Sequence, residues 1–165
     1  MKINRRQLLQ TAAAAALTSA APVQAEPTES PMNRIERIDL YPLRYPMTGY
    51  FKFFTGPRDA SGRAAVVVKI TTSDHTVGWG QSVPVAKWSD ETLETAYIGL
   101  KSYFAPALVG LDPLDLTGCH QAMSQAVAPG FSTGMPIARA GIDIALHDLA
   151  GKLQGKSVPQ LWNRS

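Results

Sequence analysis

Few residues of this chain combine the type and the spacing that catalysis requires. Asp143 and Asp148 lie five positions apart on a predicted helix, so their side chains point about 140° away from one another and cannot hold one metal ion together. The remaining candidates are scattered singly: His75, His120, His147 and the lone Cys119, which we expect to be a buried, inert thiol. We therefore predict no catalytic residue and no metal site in this chain.

A second group of residues is typical of binding. Residues 45–62 have no helical period, yet they hold five aromatic rings between glycines and prolines: Tyr45, Tyr50, Phe51, Phe53 and Phe54. Connections this long are usually functional or disordered, and clustered aromatic residues argue against disorder. Two interpretations stay open, because these rings either form a binding surface or pack in part onto the protein's own core.

The element that must organise these residues is a long helix within residues 135–162. Pro136 suits its first turn, and Gly155 supplies its end. One apolar stripe faces a core: Ala138, Ile142, Ala145, Leu146, Leu149 and Leu153. Opposite charges four residues apart predict two ion pairs, Arg139–Asp143 and Asp148–Lys152. A third side, with Gly141, Ile144 and Gly151, is low in profile and allows a neighbouring backbone to come close, but it has no obvious partner in the chain.

The elements before that helix predict the fold class. Alternating or β-branched residues indicate strands over 34–44, 63–72 and 76–81, joined as an antiparallel meander. Ser89 is the expected N-cap of a helix that runs to Phe104, with Asp90 and Glu91 favourable at its positive end. Asp112 is the expected N-cap of a helix that ends near Val127. The prediction is an α+β domain, with a three-stranded antiparallel meander followed by a bundle of about three helices.

The long helix also carries a family resemblance. The run AGIDIALHDLAGK from Ala140 to Lys152, then Gly155, Val158-Pro159 and Leu161, resembles the end of the N-terminal capping domain in the enolase superfamily. More narrowly, it is similar to the mandelate racemase and muconate lactonizing branch. The resemblance implies an enolase-like capping domain over residues 34–162, followed by a metal-dependent (β/α) barrel. In this sequence, residues 163–165 would be only a truncated start of that barrel.

The resemblance also implies where a substrate would be recognised. In that family, the loop after the first strand and the loop after the third cap the barrel mouth and shape substrate specificity. By position, the specificity residues are Thr48, Tyr50, Phe51, Phe53 and Phe54, then Gln81, Ser82 and Val83. The family often has glutamate where Gln81 stands.

The chemistry of the resembled enzymes belongs to the barrel. There, magnesium stabilises the enediolate that forms when a base removes a proton next to a substrate carboxylate. The metal ligands and bases come from barrel strands, so this chain is expected to be inactive alone and to hold no cofactor. Its expected partner is the missing barrel, or a second copy of itself, with a small carboxylate substrate in the full-length family.

Three functional readings follow from different classes. The first is the capping half of a racemase, cycloisomerase or dehydratase without its barrel. The second is an exported stand-alone binding module that retains the capping fold without catalysis. The third is an unrelated small α+β protein whose helix only mimics the motif. The first is favoured, because the matched helix leads into a barrel in the resembled family.

The first 25 residues predict a signal peptide. Arg5-Arg6 precedes a mildly apolar alanine-rich stretch, and Val23-Gln24-Ala25 fits a cleavage site. Paired arginines with a weakly hydrophobic core favour a twin-arginine signal over an ordinary secretory signal, which places the protein in the periplasm or outside the cell. Residues 26–33 then read as a disordered leader.

The charge balance excludes a basic binding surface. Three of the 16 basic residues lie in the predicted signal, so the remaining 13 match the 13 acidic residues. We therefore expect no nucleic-acid partner and no membrane contact beyond export.

Overall fold

The computed structural model describes residues 33–46, 63–130 and 133–162. Three antiparallel strands form one sheet: β1 (Ile35–Tyr45), β2 (Arg63–Thr72) and β3 (Val77–Ser82), in the order β1-β2-β3. These bounds agree with the predicted strands to within one residue, and the meander is confirmed. The predicted signal, and the predicted leader up to residue 32, lie outside the described residues.

The register of the sheet separates its two faces. Leu40, Val68 and Gly80 are aligned across the three strands, and their neighbours Tyr41, Val67 and Gln81 are aligned on the opposite face. The face with Val68 is covered by helices, whereas Tyr41 and Trp79 on the other face are 45% and 46% exposed. Their rings lie 6.3 Å apart, with the Lys69 ammonium 5.6 Å from the Trp79 ring. The sheet is therefore buried on one side.

Among the described residues, five helices follow β3, and three of them are long enough to form the bundle. They are α1 (Ala86–Ser89), α2 (Leu93–Gly99, continued by a π-helical turn over Leu100–Phe104 and an α-helical turn over Ala105–Leu108), α3 (Leu116–Ala126), α4 (Pro136–Gln154) and α5 (Val158–Leu161). The core lies between the sheet and α2, α3 and α4, and its largest buried side chains include Phe104, Met123 and Ile142. No described helix is both long and apolar enough to cross a membrane.

Two predicted helix caps are wrong. Thr92 caps α2 through a reciprocal pair of hydrogen bonds with Thr95, whereas the Ser89 hydroxyl is engaged with the backbone of Val85. Asp115 caps α3 by accepting from the Gly118 N–H at 2.9 Å. Asp112 accepts from the Leu114 N–H at 2.8 Å instead, and so shapes the turn before the helix.

The long helix α4 begins at Pro136 and ends before Gly155, as predicted, and it packs along β3. The approach is close, because a Cβ on Gly80 would lie 2.0 Å from the Gly141 carbonyl oxygen and one on Gly78 would lie 2.3 Å from that of Ala145. The predicted close approach of a neighbouring backbone is therefore confirmed at Gly141. The expectation that this side has no partner within the chain is wrong at Gly141, which β3 covers. Ile144 remains 51% exposed.

Side chains of α4 also pair with the free edge of β3. Asp148 accepts from the Trp79 N–H at 2.8 Å, and the Lys152 ammonium donates to the Val77 carbonyl at 2.8 Å. The predicted Asp148–Lys152 ion pair is present at 2.6 Å. Unpaired edge groups invite pairing with other chains, so this arrangement closes part of the edge.

Candidate functional site

The candidate site is the end of the sheet where two connections leave it. Tyr45 pairs with Arg63 where residues 46–62 depart from β1 and return to β2, and Ser82 pairs with Val66 where β3 ends beside them. The antiparallel order therefore places the described ends of both predicted specificity loops at the same end of the sheet. Five of the predicted residues, Thr48, Tyr50, Phe51, Phe53 and Phe54, lie outside the described residues.

The three predicted residues at the end of β3 lie on different sides of the strand. Gln81 aligns with Val67 on the face away from the helices, is half-buried, and has no side-chain hydrogen bond within the described residues. Ser82 is fully buried, and its hydroxyl donates to the Ala138 carbonyl at 3.1 Å. Val83 is half-buried. Within the described residues the Gln81 amide is therefore unbonded, whereas the Ser82 hydroxyl is bonded to α4.

The first turn of α4 is held by a residue that sequence reasoning assigned elsewhere. Glu91, 5% exposed, accepts hydrogen bonds from the Ile137 N–H at 2.7 Å and the Ala138 N–H at 3.0 Å. Its negative charge suits the positive end of the α4 dipole. We expected Glu91 to favour the start of α2, which follows it directly. The missed signal is Met135, an N-cap residue whose side chain cannot accept from these N–H groups.

Arg139 fixes the connection between α3 and α4. Its guanidinium donates to the carbonyls of Gly134 at 2.6 Å, Val127 at 2.5 Å and Met123 at 3.2 Å, and to the Ser124 hydroxyl at 3.0 Å. Burial lowers the pKa of this guanidinium. The predicted Arg139–Asp143 ion pair is wrong, because the guanidinium is directed at the end of α3 and at the connection that follows it.

Asp143 instead brings together two histidines that look unrelated in the sequence. Its carboxylate lies 2.8 Å from Nε2 of His120 and 3.4 Å from Nδ1 of His147, and that Nδ1 is 2.9 Å from the Asp143 carbonyl. The His147 ring also meets Trp162 edge-on, with centroids 5.5 Å apart. The cluster joins α3, α4 and the residue that follows α5. The spacing of four between Asp143 and His147 is a local signal, but the sequence carries none for His120, which is 23 positions from Asp143.

Cys119, beside His120 on α3, is buried, and its thiol donates to the Asp112 carbonyl. Burial, with smaller contributions from the negative charges of Asp115 and Asp112, raises the pKa of the thiol to about 11. Such a thiol is a poor nucleophile at neutral pH.

Within the described part of the chain, no three or more His, Cys, Asp or Glu side chains are grouped so that they could hold a metal ion. The described residues therefore do not fit a magnesium site. We call the end of the sheet where residues 46–62 leave β1 and where β3 ends the loop-bearing end. It holds segments that are anchored to α4 and the Gln81 amide, and such groups suit recognition of a ligand.

The three-stranded meander, its three principal helices and the gathering of connections at one end define the N-terminal capping-domain class of the enolase superfamily. Residues 57–162 match the family model described as mandelate racemase / muconate lactonizing enzyme, N-terminal domain. The chain belongs to this family.

Individual relatives agree with the family match. N-succinyl-L-Arg/Lys racemase of Bacillus cereus is 31% identical over 128 residues, which are 78% of this chain and 33% of the racemase. Its crystal structure superposes with a TM-score of 0.69 over the same shares of the two chains. Chloromuconate cycloisomerase CbnB of Cupriavidus necator is 36% identical over 97 residues, 58% of this chain and 25% of the cycloisomerase.

A mandelate racemase/muconate lactonizing-type protein of Roseovarius nubinhibens, solved in complex with magnesium, is 26% identical. It superposes with a TM-score of 0.62 over 73% of this chain and 30% of that protein. The chain thus spans about a third or less of the length of these relatives.

Proposed function

We propose that this chain is the capping domain that sets substrate specificity in an enzyme of the mandelate racemase and muconate lactonizing type. The reaction class is metal-assisted proton abstraction from a carboxylate substrate, and a (β/α) barrel outside this sequence supplies the chemistry. The observation that carries the proposal is the end of the sheet where the two connections leave it: there the Gln81 side chain makes no hydrogen bond within the described residues, and neighbouring segments are anchored to α4.

The described residues support a division of labour between the two parts. Their charged groups are engaged in holding helices together, as Glu91, Arg139 and Asp143 show. A divalent metal, magnesium by analogy with the Roseovarius complex, would be held by the barrel and would stabilise negative charge on the substrate carboxylate. This chain would contribute the wall of the binding site and the exclusion of water.

The test is a chimera in which residues 33–162 replace the matched third of the Bacillus cereus racemase. We expect turnover that requires added magnesium, with a substrate preference that differs from that of the parent racemase across N-succinyl amino acids, dipeptides and muconates. The full chain alone should turn over none of them. A folded chimera with the parent's unchanged preference would contradict the specificity role.

Gln81 provides a sharper version of the same test. In the chimera, Gln81→Ala should raise KM about threefold to tenfold with little change in kcat, since one substrate hydrogen bond would be lost. Lys156→Ala, at an exposed position after α4, is the matched control and should change neither constant. An unchanged KM in the Gln81 variant would remove this residue from the proposed site.

We also propose export through the twin-arginine route, on the strength of Arg5-Arg6, the alanine-rich stretch and the small residues before Glu26. Replacing Arg5 and Arg6 together by lysine keeps the charge, yet it should leave the precursor unprocessed in the cytoplasm. Fractionation and the size of the chain report the result. Normal processing in the periplasm would favour the ordinary secretory route instead.

A further inference from the structure

We infer that Glu91 is a positioning residue that closes segment 82–91 onto the first turn of α4, so that this segment forms a preformed wall at the loop-bearing end. The role of this wall in substrate recognition rests on the proposed function. The attachment of segment 82–91 to α4 is independent of the proposed function, because it follows from contacts of the described residues.

Both ends of segment 82–91 are bonded to one residue of α4. At its start, the Ser82 hydroxyl donates to the Ala138 carbonyl at 3.1 Å. At its end, one oxygen of the Glu91 carboxylate accepts from the Ala138 N–H at 3.0 Å, and the other accepts from the Ile137 N–H at 2.7 Å. The segment is therefore a short closed loop whose ends cannot separate unless these bonds break.

The interior of the segment is ordered by its own hydrogen bonds. The Val85 N–H donates to the Ser89 hydroxyl at 3.1 Å, and the Ser89 N–H donates back to the Val85 carbonyl at 2.8 Å. Asp90, at φ 58°, then turns the chain so that Glu91 points back toward α4. Aspartate accepts this left-handed conformation more readily than most residues. The segment consequently presents Trp88, 70% exposed, at a defined position.

Glu91 is needed because α4 cannot cap itself. Its N-cap residue, Met135, is also left-handed (φ 58°, ψ 60°), and the Met135 side chain lies against α2 at Gly99. Pro136 has no N–H, so Ile137 and Ala138 carry the first N–H groups of the helix that require acceptors. Glu91 satisfies both from 46 and 47 positions away. The α4 N-terminus is thereby closed to an external anion.

The experiment uses the full chain labelled with 5-fluorotryptophan, whose three resonances (Trp79, Trp88 and Trp162) report on separate parts of the molecule. In Glu91→Ala, we expect the Trp88 resonance to shift or broaden while the other two stay in place. Amide hydrogen exchange should rise about tenfold to a hundredfold at Ile137, Ala138 and the segment, and should stay unchanged in β2. Glu94→Ala, an exposed glutamate in the first turn of α2, is the matched control and should alter none of these signals.

Each other outcome overturns the inference. Exchange that rises uniformly, including in β2, would show that Glu91 contributes only to global stability. An unchanged Trp88 resonance and unchanged α4 amides would show that the contact is dispensable. Because an alanine variant can fail to fold, Glu91→Gln, which keeps the volume and one acceptor, is measured in parallel with the same expectations at smaller size. Failure of both variants to fold would contradict a local role.

These readouts involve neither turnover nor a barrel. A local effect together with an inactive chimera would keep the closure and discard the proposed function. An active chimera without the local effect would keep the proposed function and discard the closure by Glu91.

Discussion

At the scale of single residues, three charged groups of this domain act between elements that are distant in sequence. Glu91 caps a helix far away in sequence, Arg139 binds the carbonyls that end α3, and Asp143 joins histidines from two helices. Asp143 also contacts His147, four positions along the same helix, but its shorter side-chain contact is to His120 of α3. Buried or half-buried charges need several partners, and these partners lie in other elements, so each charge fixes the relative position of two helices.

Cys119 gives a prediction at this scale. Its pKa is raised from its ordinary value near 9.0 to about 11, so only on the order of one thiol in a thousand is ionised at pH 8. We expect Ellman's reagent to react with the native chain at pH 8 at least about a hundredfold more slowly than with the chain unfolded in urea. The unfolded chain is the control, since it holds the same single cysteine.

The same pKa shift sets a direction for stability. Because the folded state holds the thiol proton more tightly, this contribution is complete below pH 9.0 and is lost as the pH rises toward 11. The free energy of unfolding of the wild type should therefore fall over this range by more than that of Cys119→Ala. Rapid labelling of the native thiol, or parallel pH curves for the two proteins, would contradict the buried environment.

At the scale of elements, the repeats of β3 and α4 fit one another. Two residues along a strand advance about 6.6 Å, and four residues along a helix advance about 6 Å. Gly78 and Gly80 can therefore face the carbonyls of Ala145 and Gly141 in turn, with no side chain between the two backbones. This fit allows Asp148 and Lys152 to reach the edge of β3.

Gly80→Ala tests that contact. Its Cβ would lie 2.0 Å from the Gly141 oxygen and 2.7 Å from the Ala145 nitrogen, and both are backbone atoms that cannot rotate away. We expect the free energy of unfolding, measured with urea, to fall by about 2 kcal/mol or more. Gly155→Ala is the control: nothing lies within 4 Å of its Cβ, and its φ of 61° predicts a cost of about 1 kcal/mol. A smaller loss at Gly80 than at Gly155 would mean that α4 can shift.

Much of the element level could be predicted from the sequence. The alternating and β-branched residues predicted the strands to within one residue. Pro136 and Gly155 predicted the two ends of α4. These signals succeed because they are local in the sequence. The caps were predicted less well, since Ser89, Asp90 and Glu91 are three consecutive residues that favour helix starts. Which of them acts, and on which helix, depends on tertiary contacts. The sequence predicted the candidate site as a pair of loops. It could not predict that Ser82 and Glu91 both bond to the backbone of Ala138, because both residues are far from Ala138 in sequence.

At the scale of the whole molecule, the described domain leaves an apolar strip uncovered along α4, formed by Ile144 and the nearby Trp162. Ile144 is 51% exposed, and Trp162, which packs on His147 of the same helix, is 56% exposed. The strip is narrower than the sequence suggested, because β3 covers Gly141 and the Lys156 carbonyl lies close to Gly151. Under the proposed function, the barrel covers this strip.

The last prediction concerns that strip. We expect the chain from residue 26 onward to bind hydrophobic dyes or to self-associate when alone, and to melt at a higher temperature when a related barrel is supplied in trans. Covering a half-exposed isoleucine and its surroundings contributes about 1–2 kcal/mol, which corresponds to a rise of roughly 4–8 °C for a domain of this size. Ile144→Glu should abolish most of the rise, since docking would bury its charge.

Ile98→Glu, at a residue of α2 that is 52% exposed, is the matched control and should keep the rise. Differential scanning calorimetry measures the melting temperature, and sedimentation velocity measures the association state of each variant. Equal effects of the two variants would mean that the strip has no special role in docking. A monodisperse chain that melts cooperatively at high temperature and does not respond to the barrel would contradict the account at this scale, and would favour a stand-alone binding module.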